Sequence, residues 1–222
     1  MNTMVKKIFK IIIALMATFV GLYPFIYFFV NRKFGLLQSK SEILLSNVFW
    51  NTAFYTHITL GGIALLIGWA QFNVKLRTNK LKLHRQIGKV YVTAALFSSF
   101  AGMYIALFAT GGIIASLGFI CLGIIWFSTT LMAYLNIKKR KINEHQTMMT
   151  YSYAACFAAV TLRIYLPLLT NLFHDFTKAY LLVAWLSWIP NMIVAYFIVR
   201  RIHKQHDNTD INKAIAIGTE WR

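Results

Sequence analysis

Lys80-Leu81-Lys82-Leu83-His84-Arg85-Gln86-Ile87-Gly88-Lys89-Val90-Tyr91 is a basic segment that runs directly into a long apolar one. Basic residues gather at the cytoplasmic ends of membrane-spanning helices, so this stretch reads as the threshold of a transmembrane helix. Outward from it, in both directions, the same alternation recurs. Apolar runs of roughly 20 residues, enough to span about 30 Å of hydrocarbon as helix, are separated by short polar or basic blocks. Hydrophobic residues make up 58% of the 222-residue chain and charged residues only 13%, against about 25% charged in a soluble domain. A soluble core of this size could not bury that much apolar surface.

The expected spans are residues 11–30, 47–72, 84–109, 113–137, 143–172 and 179–199, numbered helix one to helix six. The first run is too long for the apolar region of a signal peptide, and Tyr23-Pro24-Phe25 is a poor cleavage site; Pro24 marks a kink instead. Residues 31–46 read as a linker. Trp50, Asn51 and Tyr55 read as an interfacial aromatic cluster opening helix two. Residues 73–83 form a basic loop, Thr110-Gly111-Gly112 a tight turn, and Lys138-Lys139-Arg140-Lys141 a second basic block. Pro190 falls inside helix six. Residues 1–200 form a single transmembrane domain, and residues 201–222 a polar cytoplasmic tail that frays.

The net charge of +17 would suggest nucleic acid in a soluble protein. Here the basic residues lie between apolar runs, no aromatic-basic recognition motif is present, and no nucleic-acid partner is expected. With the N-terminus inside, 18 of the 23 Lys and Arg residues fall on the cytoplasmic side. Arg32, Lys33, Lys40 and Lys178 fall on the other side, and Arg163 lies within helix five. Both termini are therefore expected in the cytoplasm. The fold class is an all-α, multi-pass protein of the cell membrane, its six helices in one bundle within the lipid bilayer.

Ionisable groups inside a bilayer are costly and mark functional sites by default. All six carboxylates lie outside the helix cores, which argues against carboxylate proton relays and di-iron sites. There is no HExxH, no histidine-box spacing and no phosphate-loop lysine motif. Cys121 and Cys156 sit in apolar runs without a CxxC pattern, so small buried residues are expected. What remains is His57, His84, His145, Arg163 and Gln71. On helix two, His57, Gly61, Ala64, Gly68 and Gln71 share one face. On helix three, His84, Gly88, Tyr91, Ala95 and Gly102 do the same, and on helix five His145, Ser152, Cys156 and Arg163 follow suit.

Such small-residue faces serve close helix packing. They also suit a flat cofactor whose metal is ligated by imidazoles, as haem b would be by His84 and His145 at one membrane level. His57, roughly 20 Å from the inner end of helix two, and Arg163, roughly 27 Å from that of helix five, lie in the outer half. Arg163 could contact a propionate, a quinone carbonyl or an anionic headgroup, or serve structurally by bonding helix carbonyls. Tyr91 and Tyr151 lie one to two turns from histidines. His174, His203 and His206 read as solvated.

The pattern of His57 with Gly61-Gly62, Gly68 and Gln71, then His84-Arg85 with Gly88 and Tyr91, then His145 with Met148, Met149 and Arg163, resembles a family of prokaryotic membrane proteins known as domain of unknown function 2306. The resemblance covers roughly half the chain and implies a multi-helix integral membrane protein without a known reaction. A more distant similarity is to transmembrane b-type cytochromes, from which the chain departs in having no second deep histidine to pair with His57. Three functions follow as expectations: a haem-binding or redox-linked protein using the histidines of helices two, three and five; a small-molecule transporter or binding protein using the same polar interior; and a non-enzymatic assembly partner.

Overall fold

The computed structural model describes residues 3–29 and 35–219; Arg32 and Lys33, two of the four expected outer charges, lie outside them. Six helices among the described residues are long and apolar enough to cross a membrane: Ile11–Phe29, Val48–Phe72, Leu81–Ala106, Gly112–Lys138, Ile142–Phe173 and Phe176–Lys204. They keep the names helix one to helix six. Among the described residues there is no strand. The bundle is organised inside out relative to a soluble protein. Its centre holds small residues, with Ala17, Ala64, Ala95, Ala115, Ala133 and Ala184 fully buried, while Phe19 is 77% and Phe100 68% exposed on the outside. Large apolar side chains cost nothing against lipid, and small ones let backbones approach.

Helix two packs on helix three, three on four, and four on five. Helix one crosses helix two so closely that a Cβ on Gly62 would stand 2.7 Å from the Gly21 carbonyl oxygen. Helix six covers helix five along its length. Between helices three and four, Gly111 and Gly112 take φ values of +94° and +70°, a left-handed turn that glycine enters without a steric cost.

The spans depart from the expected ones where local chemistry intervenes. Pro24 converts Tyr23–Phe25 to a 3-10 turn within helix one, as its position predicts. Helix three begins at Leu81, and the basic loop before it contains a short helix, Val74–Asn79, capped by the Asn73 side chain. Helix five is not continuous: Ile142–Cys156 and Ala158–Phe173 are separated at Phe157. Helix six starts earlier, at Phe176, capped by Asp175, and breaks before Ile189. Asn191 bridges the two breaks: its Nδ2 donates to Ala154 O at 3.4 Å, Ser187 O at 3.0 Å and Thr161 Oγ1 at 2.9 Å. The last helix continues to Thr219, past the expected end of helix six at residue 199.

The described part of the linker, from Gly35 on, is folded. Gly35–Ser39 is a 3-10 turn and Glu42–Ser46 a short helix capped by Ser41. It lies over the end of the bundle opposite the basic loops, burying Leu37 and Leu45 against Trp50 and Phe54. Trp50 is consequently 2% exposed and stacked on Phe54 with ring centroids 5.2 Å apart. It is a core residue rather than the interfacial aromatic that its position suggests.

Candidate functional site

The glycines on the shared faces of helices two and three are filled from across the interface. A Cβ on Gly61 would meet Ser98 Oγ at 2.9 Å, one on Gly68 the Tyr153 ring at 2.4 Å, and one on Gly102 His57 Nδ1 at 2.8 Å. The two faces thus meet each other, and side chains occupy the space in front of these glycines. Gly88 is looser, with Gln71 Oε1 at 3.4 Å from its Cβ position.

The structure separates the singled-out residues into two groups. Toward the linker end, His57 and Arg163 line one cavity of 220 Å³, together with Tyr27, Trp50, Phe54, Trp126 and Tyr180. Lys40 of the linker lines the same cavity, and its amine donates to Phe108 O at 2.5 Å and Thr110 Oγ1 at 3.0 Å. The orientation of His57 is set by helix three. Its Nδ1 lies 2.9 Å from Ser98 O, and a carbonyl only accepts, so Nδ1 carries the proton and Nε2 is left as an acceptor. Ser98 Oγ in turn donates to His57 O at 2.8 Å.

Arg163 is held on its own helix, with Nη1 donating to Ala159 O at 3.0 Å. Its guanidinium carbon sits 4.6 Å from the centre of the Tyr23 ring, in cation–π range. Its Nε is buried with no hydrogen-bond partner. None of the described carboxylates pairs with it; Asp175 instead pairs with Lys178 at 3.7 Å on the surface. The break at Phe157 lies between His145 and Arg163, on the helix whose uninterrupted periodicity was expected to align them.

At the basic end, His84 and His145 lie close enough to interact electrostatically. His145 Nδ1 donates to Ala133 O at 2.8 Å, again leaving Nε2 as the acceptor. His84 Nδ1 is buried without a partner, and so is Gln71 Nε2. Among the described residues no three His, Cys, Asp or Glu side chains are grouped to hold a metal ion.

The remaining expectations resolve individually. Tyr91 is fully buried and its hydroxyl shares a 2.8 Å hydrogen bond with Ser152, which shares one of 2.6 Å with Thr130. Periodicity places Ser152 on the His145 face of helix five, whereas Thr130 carries no signal in the sequence beyond a polar atom on an apolar helix. His203 is exposed, and its Nε2 also lies 2.9 Å from Thr147 Oγ1. Lys40 was read only as an outer charge, and nothing in the sequence brings it to a cavity.

The sequence profile of a family described as "Predicted membrane protein (DUF2306)" matches residues 54–199. That range contains His57, Gln71, His84, Tyr91, His145 and Arg163. No curated protein and no solved structure matches the chain.

Proposed function

Because the chain belongs to this DUF2306 family of predicted membrane proteins, whose description assigns no reaction, the function rests on the site, and we propose a membrane protein that binds a small, largely apolar molecule through an anionic or hydrogen-bond-accepting group. One observation carries the reading: Arg163, inside a membrane span, opens on a cavity, and none of the described carboxylates pairs with it. A buried cation is retained at a cost of several kcal/mol unless something compensates it. The Tyr23 ring and the Ala159 carbonyl compensate part of that cost, and Nε stays unmatched. His57 adds a ring oriented by Ser98, and aromatic rings supply the apolar walls. An apolar cavity of about 150 Å³ admits benzene, so 220 Å³ suits one substituted ring or a compact acid.

The test is thermal melting of the detergent-purified protein with benzoate as the probe. A saturable rise in Tm, abolished in Arg163→Gln, is expected; saturation at about a hundred times Kd corresponds to roughly 2.7 kcal/mol. No rise in the unaltered protein would sink the reading.

A second reading rests on the basic end. His145, with Nδ1 donating to a backbone carbonyl, is oriented as metal-ligating histidines commonly are, and His84 Nδ1 lacks a partner. These two side chains would hold haem b, which supplies one-electron chemistry when bound. A Soret band in the purified or haem-supplemented protein, lost in His145→Ala, is the expected result, and its absence removes this reading.

A further inference from the structure

The space beside Arg163 does not end inside the bundle. A second, larger hollow of 830 Å³ lies between helix one and the second half of helix five, lined by Phe19, Tyr23, Val160, Ile164, Pro167 and Phe176. Its flank carries side chains turned outward: Phe19 is 77% exposed, Leu15 64% and Ile164 38%. In a bilayer that flank faces acyl chains. Val20, Tyr27, Leu36, Leu162 and Arg163 line both this hollow and the inner cavity, so the two share a wall with Arg163 in it. Helix one is interrupted nearby by the 3-10 turn at Pro24, and helix five carries Pro167 inside its second half. A proline within a helix removes a backbone hydrogen bond and favours a kink.

We propose, building on the cavity reading above, that the ligand is a single-chain lipid acid that reaches the site sideways from the bilayer. Its carboxylate pairs with Arg163 and its acyl chain lies in the hollow between helices one and five. Charge selects the head. A neutral carbonyl would accept a hydrogen bond from the guanidinium and leave the buried charge uncompensated. A carboxylate both accepts and neutralises, in the forked geometry for which arginine is suited. Continuity selects the tail, because a water-soluble acid would need only the inner cavity, whereas the larger hollow is apolar and open to lipid.

The experiment uses the full chain in phosphatidylcholine nanodiscs and palmitate carrying a photoactivatable diazirine near its chain end. Labelled peptides are mapped after irradiation. Labelling is expected on helix one around Phe19 and helix five around Ile164, competed by excess palmitate. It falls at least tenfold in Arg163→Gln and is kept in Arg163→Lys. Ile164→Phe, which narrows only the outer hollow, lowers palmitate labelling while the benzoate-induced Tm rise persists. Labelling that is unchanged in Arg163→Gln, with cooperative melting retained, means bulk lipid contact and overturns the proposal. Competition by decylubiquinone but not by palmitate overturns the acid head in favour of a neutral quinone. A benzoate shift without competable labelling overturns the lipid while the cavity reading stands; loss of both sinks both.

Discussion

Tyr91 shows how a residue chosen for its position can turn out to hold the scaffold. Its hydroxyl, Ser152 and Thr130 form a buried chain, and Thr130 Oγ1 closes it by donating to Trp126 O at 2.7 Å. Three neighbouring helices are joined by side chains that would each be costly to bury alone. Tyr91→Phe leaves Ser152 its bond to Thr130, so a loss of about 0.5–1.5 kcal/mol is expected, read as a lower Tm with the benzoate response intact. An unchanged Tm with a lost benzoate response would move Tyr91 into the site. Helical periodicity put Tyr91 on the right face. It put Ser152 on the His145 face of helix five as well, but could not pair the two, since a hydroxyl bond depends on the rotation and depth of a helix 61 residues away.

At the scale of the element, the linker before helix two has become a cover. Leu37 and Leu45, each 4% exposed, pin it to the bundle, and Lys40 ties it to the end of helix three. Burial lowers the Lys40 amine from 10.5 to about 8. The unfolded chain therefore holds a proton there up to about pH 10.5 while the folded one releases it near pH 8. Between those values the unfolded state binds more protons, so this residue makes stability rise with pH; below pH 8 it contributes no slope. Melting curves of the protein and of Lys40→Met across this window should diverge, with the slope reduced in the variant. Parallel curves would mean that the amine is hydrated. The sequence marked this segment as polar and short, which fits a loop; its hydrophobic anchors Leu37 and Leu45 show their purpose only against Trp50 and Phe54.

For the whole molecule, the charge distribution makes a prediction about orientation. In a background lacking Cys121 and Cys156, Gln38→Cys should react with a membrane-impermeant maleimide on intact cells. Lys139→Cys should react only after permeabilisation. The reverse pattern would invert the topology expected from the basic blocks. Both positions are exposed, at opposite ends of the bundle. In the expected orientation the cavity of His57 and Arg163 belongs to the outer half and the pair of His84 and His145 to the inner face. Two separated groups then divide the polar interior by depth.

The sequence by itself determined the six spans, the proline bend in helix one and the faces that carry the histidines. Those features follow from bilayer thickness and the 3.6-residue period, which act on each segment alone. The tertiary structure decided which faces meet. It filled the glycines of helices two and three with Ser98, His57 and Tyr153, and broke helix five at Phe157. It also set Arg163 in a wall shared by an inner cavity and a lipid-facing hollow. Lipid does not discriminate among apolar faces, so the choice of neighbour rests on close packing and on pairing of buried polar groups. Both depend on side chains brought together from distant parts of the chain.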